Sequence, residues 1–224
     1  MRMEVFSIIY SVYLSYKKGW CLCKVMDKID QLDYAETVDK IIELNNFANN
    51  FWSNSIGWAP IEAANLLSKS RLDWQVSLSY SLKRWDISPQ HGARDGDLIL
   101  AWVNLGALVE GTLKLFLSVY FNDYSEDEDS IKNNKGLVEP DSIKFDRLRQ
   151  FFNKKIWESI ETEEFDAWVL KIQQRRNIIH AFKNKDIGDF SEFVSDTNKY
   201  LAFLMYHLDR LPYPDCPYGT KHRL

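Results

Sequence analysis

Cysteine, glycine and proline are scarce in this chain. Its 224 residues include three cysteines, two of them in the pair Cys21-x-Cys23. An odd number of cysteines does not form the disulfide framework of a secreted domain, and one pair without further ligands is a poor zinc site. A reducing, cytoplasmic environment therefore fits best. Nine glycines and six prolines leave few tight turns and favour long helices.

Motifs that mark several common catalytic and cofactor sites are also missing. The chain has no G-x-x-x-x-G-K-[ST] loop, no G-x-G-x-x-G, no H-E-x-x-H and no G-x-S-x-G. These absences disfavour nucleotide hydrolysis, a Rossmann cofactor, a zinc-protease site and an α/β-hydrolase nucleophile. We therefore expect no cofactor, no nucleotide and no metal. His207 is expected to be a helix-surface residue or a hydrogen-bonded core residue.

Hydrophobic and aromatic residues, by contrast, are plentiful. The chain contains eight Trp, eleven Tyr and thirteen Phe, with 46% hydrophobic and 27% charged residues. This composition is typical of a folded globular domain rather than a disordered chain. Apolar residues recur at helical spacing in several long segments, without alternating strand patterns. We therefore predict an all-α fold, a bundle of up-and-down antiparallel helices with long connections.

Helical and polar segments alternate in an order that predicts one main domain with additions. Val5–Tyr16 is apolar but too short for a membrane span of about 20 residues, and ordinary helix-forming sequence follows Met26. We therefore hypothesise that translation begins at Met26. The predicted organisation is an N-terminal extension at 1–25, a helical segment packed on the core at 26–90, a helical domain at 91–211 with a mobile loop at 122–141, and a tail at 212–224.

Periodicity and capping residues predict the individual helices. They run over 34–52, from 61 to about 85, from a cap at Asp95 to about 121, over 145–157, from 162 to about 182, and from a capping box at 189–192 to about 211. The helix after Asp95 is apolar on almost every side, as in a central helix or a membrane span. Glu110 and Lys114 near its middle disfavour the membrane. We expect a core helix and no membrane partner.

Charge is unevenly distributed along the chain. The formal net charge of −4 gives no general attraction to nucleic acid. Five positive residues nevertheless lie between Lys171 and Lys185 without an acid, and five more lie between Lys144 and Lys155 with a single acid. Ordinary solvated helix faces explain these runs as well as a basic surface does. If RNA is a partner, we predict contacts from Lys171, Lys183 and Lys185.

The run Arg175-Arg176-Asn177-Ile178-Ile179-His180 is the stretch best suited to chemistry. Arginine binds phosphate oxygens through its planar fork, and histidine exchanges protons near neutral pH. On a continuous α-helix, Arg176 and Asn177 both lie beneath His180, and the two isoleucines face the core. The run therefore predicts a site for a phosphodiester.

The run from Arg175 to His180 resembles the R-x(4–6)-H signature of the HEPN superfamily. Its members are all-helical domains, many of them metal-independent endoribonucleases of toxin–antitoxin, CRISPR and other defence systems. The resemblance implies a HEPN-like helical bundle, a homodimer with two motifs in one cleft, and RNA products with 2′,3′-cyclic phosphates. It also implies catalytic roles for His180, Arg175 and Arg176, supported by Asn177 and Glu110.

The match departs from the family pattern at the arginine. Arg175 has the family's spacing to His180, but Arg176 is the arginine that Asn follows, and its spacing is one residue short. Either guanidinium can therefore bind phosphate. HEPN-like proteins without nuclease activity also exist, so the alternative function is a non-catalytic helical module that binds an antitoxin or another protein. In that case the run bonds neighbouring carbonyls and Glu110.

Overall fold

The computed structural model describes residues 22–86, 92–157, 159–180 and 185–213, and these residues are mostly helical. The predicted all-α class is therefore confirmed. The α-helices are α1 (Leu22–Ile29), α2 (Tyr34–Trp52), α3 (Ile61–Lys69), α4 (Leu72–Ser81), α5 (Arg94–Val119), α6 (Phe121–Glu126), α7 (Phe145–Lys155), α8 (Ser159–Arg176) and α9 (Phe190–Asp209). Short 3₁₀ helices cover Leu82–Asp86, Pro140–Ser142 and Asn177–His180. Most of the predicted extension and tail, 1–21 and 214–224, lies outside the described residues.

Helix α5 is the centre of the bundle. It packs against α3, α4, α7, α8 and α9, and its Leu105 and Leu108 are completely buried. The buried Asn104 is hydrogen-bonded on both sides, accepting from Trp85 Nε1 at 3.1 Å and donating to the Leu78 carbonyl at 2.9 Å. Among the described residues, α5 alone is long and apolar enough to cross a membrane, but 61% of its apolar window is buried inside the protein. It is a core helix, as predicted.

Two of the predicted helix boundaries are wrong. Helix α5 begins at Arg94 without a side-chain cap, and Asp95 lies inside the first turn, where its charge complements the positive end of the helix. The single helix expected from 61 to about 85 is interrupted after α3. There, Ser70 has an extended backbone, and its hydroxyl donates to the Leu67 carbonyl at 2.7 Å. Serine competes in this way for the carbonyls that would continue a helix.

The segment predicted as a mobile loop at 122–141 contains regular structure. It carries α6, a two-stranded antiparallel hairpin of β1 (Lys132–Asn133) and β2 (Gly136–Leu137), and a 3₁₀ helix. The buried Tyr124 joins the two sides, since its hydroxyl accepts from the Ile131 amide at 3.1 Å and donates to the Val138 carbonyl at 2.9 Å. The polar composition predicted a loop, but Tyr124 holds the segment in a hairpin that packs against α6.

Helix α4 runs antiparallel to α5, α7 to α8 and α8 to α9, but three of the long helices run in the same direction. Helix α9 lies parallel to α5, because Thr112 is 3.2 Å from the Tyr200 hydroxyl, and Tyr120, farther along α5, donates to the Arg210 carbonyl at 2.5 Å. Helix α2 lies parallel to α9, as the Thr37–Asn198 hydrogen bond of 3.0 Å and the later contact of Trp52 with Tyr213 show. The up-and-down prediction therefore holds for α4 with α5, α7 with α8 and α8 with α9, but not for α2, α5 and α9.

Candidate functional site

The end of α8 sets the geometry of the Arg175–His180 run. The α-helix stops at Arg176, and Asn177–His180 forms a 3₁₀ helix. A 3₁₀ helix turns by about 120° per residue, so Asn177 lies directly beneath His180 whereas Arg176 is rotated away from it. The predicted α-helix to about 182, with both side chains beneath His180, is thus wrong at its end.

The side chains of this 3₁₀ helix are mostly exposed. Asn177 and His180 face solvent, and His180 makes no hydrogen bond or ion pair with another described residue. Ile178 is buried and anchors the turn in the core. Ile179 is 46% exposed, so the prediction that both isoleucines face the core is wrong for one of them. The imidazole and the carboxamide are therefore both open to a ligand.

The side chain of Arg176 lies between α5 and the start of α7, in a position that we call its seat. Its guanidinium forms an ion pair with Glu110 and lies 5.6 Å from the centre of the Phe145 ring. Glu110 is also 3.0 Å from Lys114 Nζ, so one carboxylate serves two cations. Gly106, one turn before Glu110, lets the aliphatic stem of Arg176 lie against the α5 backbone. About a third of the Arg176 side chain stays exposed.

Arg175 points to a different interface and is buried. Its Nη2 is 3.0 Å from carboxylate oxygens of both Asp186 and Glu192, and its Nη1 donates to the Asp186 carbonyl. The guanidinium lies 5.8 Å from the centre of the Trp102 ring. These contacts join α8 to the segment that leads into α9. A guanidinium compensated by two carboxylates has little capacity left for a phosphate.

Lys171 belongs to the same network as Arg175. Its Nζ lies 2.6 Å from the buried Asp196 carboxylate and 3.1 Å from Glu192. Burial disfavours the charged ammonium, but Asp196 and Glu192 outweigh that effect and raise the pKa of Lys171 above its ordinary value. The two cations Lys171 and Arg175 thus meet three carboxylates, of Asp186, Glu192 and Asp196. This compensation argues against the predicted RNA contact of Lys171.

The other two predicted RNA-binding lysines are separate from this network. Lys185 is exposed, and no acidic side chain in the described part of the chain pairs with it. Lys183 lies outside the described residues, which omit 181–184. The structure therefore brings Arg176 and Glu110 into contact at the end of α8, with Asn177 and His180 on the turn that follows. It directs Arg175 and Lys171 towards α9.

Several residues of this site could not be identified from the Arg175–His180 run itself. Gly106 and Phe145 shape the seat of Arg176, and Asp186 and Glu192 bind Arg175. Glu192 had a partial signal as the last residue of the predicted capping box. Its amide does donate to Asp189 at 2.8 Å, but its carboxylate contacts Arg175 and Lys171. The predicted capping box is therefore only half formed: the Asp189 side chain accepts from the Glu192 amide, while the Glu192 carboxylate turns to the two cations.

Comparison with known proteins adds no relative: no family model, curated protein or solved structure matches this chain. Within the described ranges, no three His, Cys, Asp or Glu side chains gather into a possible metal site. A function for the chain therefore has to be argued from the side chains at the end of α8. Those side chains offer one exposed imidazole, one carboxamide and one half-buried guanidinium.

Proposed function

We propose that the chain is a HEPN-like, metal-independent endoribonuclease whose site comprises Arg176, Asn177 and His180. The observation that carries the proposal is the exposed imidazole of His180, on a turn directly after a guanidinium that Glu110 and Phe145 hold in place. Arginine and histidine at one helix end combine phosphate binding with proton transfer. The proposal assigns the phosphate to Arg176 rather than Arg175, because Arg175 is compensated by two carboxylates.

The proposed reaction uses the 2′-hydroxyl of the RNA as nucleophile. The 2′ oxygen forms a bond to phosphorus, and the bond from phosphorus to the 5′ oxygen breaks. His180 takes the proton from the 2′-hydroxyl while water protonates the leaving 5′ oxygen, or His180 protonates the leaving oxygen while water accepts the first proton. Arg176 stabilises the negative charge on the phosphorane oxygens, and Asn177 binds one of them. The products are a 2′,3′-cyclic phosphate and a 5′-hydroxyl. The proposal extends to a cytoplasmic homodimer acting in defence or as a toxin.

Cleavage of RNA in EDTA is the direct test. We expect purified protein to cut a mixture of single-stranded and hairpin RNAs without added metal, leaving 2′,3′-cyclic phosphate ends. General acid–base help is typically worth about a hundred- to ten-thousandfold, so His180→Ala should lose at least about a hundredfold in rate. Ile179→Ala changes the neighbouring exposed residue and serves as the matched control. Equal cleavage by wild type and His180→Ala, or intact RNA with both, contradicts the proposal.

A non-catalytic module that binds a protein is the second candidate, and one surface favours it. Ile56 and Ile61 are each 70% exposed, and Trp58 between them is 43% exposed. Exposed apolar residues grouped in this way are typical of interaction sites. In this interpretation, Ile56→Ser with Ile61→Ser abolishes binding of a co-purifying partner while His180→Ala leaves it unchanged. Loss of the partner in His180→Ala alone contradicts it.

A further inference from the structure

The basic residues of α7 and its N-cap fall into two groups when their partners are examined. Three of them are compensated: Arg149 pairs with Asp166 at 2.5 Å, Lys154 with Asp129 at 2.6 Å, and Lys155 with Asp127 at 3.0 Å and Asp129 at 2.9 Å. The other two, Lys144 and Arg147, are exposed and have no ion pair with any described acid. The unpaired cations of this helix are therefore Lys144 and Arg147, on either side of Asp146, whose carboxylate pairs with Arg149 at 3.4 Å.

The first turn of α7 lies beside the seat of Arg176. Helix α7 runs antiparallel to α8, because Arg149 pairs with Asp166 while Phe145, earlier on α7, contacts Arg176, later on α8. Lys144 directly precedes Phe145 in the chain. Lys144 is the N-cap residue and has an extended backbone, and Arg147 lies two residues after Phe145, about 200° around the helix from it. A chain of phosphates that passes from Arg176 around the start of α7 would meet Lys144 and then Arg147.

Charge on the other side of α8 disfavours the opposite direction. There, Lys171 and Arg175 are both paired with carboxylates, those of Asp186, Glu192 and Asp196. At the seat of Arg176, two cations, Arg176 and Lys114, share the single carboxylate of Glu110, a local sum of +1. The seat of Arg176 therefore offers a polyanion more positive charge than the network of Lys171 and Arg175 does.

We propose that Lys144 and Arg147 bind backbone phosphates of a single-stranded RNA whose scissile phosphate lies at Arg176. The inference rests on the proposed function for the identity of the polymer. It concerns how the RNA is held rather than how it is cut. Positively charged tracks of this kind bind single strands through their backbone, without strong sequence preference. Lys154 and Lys155, about 15 Å farther along the same helix, take no part, because their charges are used by Asp127 and Asp129.

The test measures binding separately from cleavage. His180→Ala protein is titrated into a fluorescein-labelled 20-nucleotide single-stranded RNA, and anisotropy is recorded over a series of salt concentrations. Lys144→Ala with Arg147→Ala removes two contacts, and Lys154→Ala with Lys155→Ala is the charge-matched control on the same helix. Each phosphate contact contributes about 0.7 to the salt slope for single strands. We therefore expect a slope smaller by about 1.4 and binding about tenfold weaker at 0.15 M salt for the first pair only.

Each outcome decides between the two proposals. If both double variants weaken RNA binding equally, or neither weakens it, the proposed phosphate contacts of Lys144 and Arg147 (the phosphate track) are overturned even if the wild-type protein cleaves RNA. Binding that depends on Lys144 and Arg147, together with RNA left intact by wild type in EDTA, overturns the nuclease and leaves the track standing. Absence of RNA binding by every variant at low salt overturns the track as well. Circular dichroism and thermal unfolding establish that each variant is folded.

Discussion

Arg175 and Arg176 are neighbours in the chain, yet they occupy different interfaces of the bundle. Successive residues on an α-helix are about 100° apart, so Arg175 faces α9 while Arg176 faces α5 and α7. Arg175 is almost completely buried and contacts Asp186 and Glu192. Arg176 keeps part of its guanidinium open to solvent. The first therefore joins α8 to α9, whereas the second keeps part of its guanidinium in contact with solvent.

Replacing each arginine by methionine separates these roles. Arg175→Met keeps the aliphatic stem beside Trp102 but removes the charge-assisted hydrogen bonds to Asp186 and Glu192. A hydrogen bond to a charged group typically contributes about 1.5–3 kcal/mol to stability. We expect its free energy of unfolding, measured by urea denaturation, to fall by about 2 kcal/mol. Arg176→Met should lose less than about 1 kcal/mol, since its pair is partly exposed, and should lose RNA cleavage. A stable Arg175→Met protein without cleavage would reverse the assignment.

The choice between the arginines could not be made from the sequence. The motif contains the reactive residue types, and Glu110 could be selected because few acids occur in the apolar helix. Asp186 and Glu192, however, reach Arg175 only because α8 and α9 pack antiparallel, and that packing is not encoded in local spacing. The spacing to His180 even favours Arg175. Tertiary contacts, rather than motif spacing, separate the two side chains.

At the scale of elements, the contact between α5 and α8 depends on one glycine. A Cβ atom built on Gly106 would lie 2.7 Å from Arg176 Cβ and 2.8 Å from its Cδ. Arg176 Cβ is fixed to its own backbone, so the side chain cannot simply rotate away. Gly96 on the same helix has no neighbour within 4 Å of such an atom. The two glycines form a matched pair.

Alanine substitutions at these two glycines should change stability in opposite directions. Gly106→Ala overpacks the contact and should lower the free energy of unfolding by about 1–3 kcal/mol, while displacing Arg176 and reducing RNA cleavage. The added methyl group of Gly96→Ala meets no neighbouring atom, so this change should raise the free energy of unfolding by about 0.5–1 kcal/mol, because glycine is entropically costly inside a helix. Chemical denaturation of both variants checks the pair. A neutral Gly106→Ala would mean that α8 can move away from α5 without loss.

The boundaries of helices were predicted well where strong capping residues mark them. They were predicted poorly where contacts between distant residues determine them. Helix α2 begins after Asp33, whose side chain forms a complete capping box with Glu36, and it has the predicted bounds. The hairpin after α6 depends on the buried Tyr124, which no local pattern identifies in a polar, acidic segment. The 3₁₀ end of α8 likewise has no marker, since Asn177–His180 contains neither glycine nor proline.

At the scale of the whole molecule, helix content followed from composition, but helix direction did not. Few glycines and prolines and a 3.6-residue periodicity suffice to predict an all-α protein. The segment between α5 and α7 brings the chain back from the end of α5 to its middle, where Lys114 Nζ donates to the Asp141 carbonyl at 2.8 Å, and α9 then runs parallel to α5. This return uses a hairpin and a tyrosine anchor that the sequence analysis treated as a loop. The parallel arrangement brings His207 of α9 into the aromatic core.

His207 is buried among aromatic rings and is held neutral there. Its Nε2 accepts from Trp157 Nε1 at 3.1 Å, so the ring proton is on Nδ1, which donates to the Phe203 carbonyl at 2.7 Å. The Phe203 ring lies 4.1 Å away, and the rings of Phe116 and Phe165 close the pocket. Burial lowers the pKa of His207 to about 3, against 6.5 for the unburied side chain.

Stability should therefore fall in acid through this one residue. Below pH 6.5 the unfolded chain binds a proton at His207 that the folded protein excludes, so the free energy of unfolding decreases until the pH reaches about 3. The slope approaches about 1.4 kcal/mol for each pH unit well below pH 6.5, and because half of the unfolded chains are already protonated at pH 6.5, the decrease between pH 6.5 and 4.5 is about 2.3 kcal/mol. His207→Gln retains a donor and an acceptor but does not titrate. Urea denaturation of both proteins at the two pH values should show the stability difference between them shrinking by that amount, because every other titrating group is common to both. A difference that stays constant between pH 6.5 and 4.5 would mean that His207 takes up its proton in the folded protein, and that the aromatic pocket opens to water.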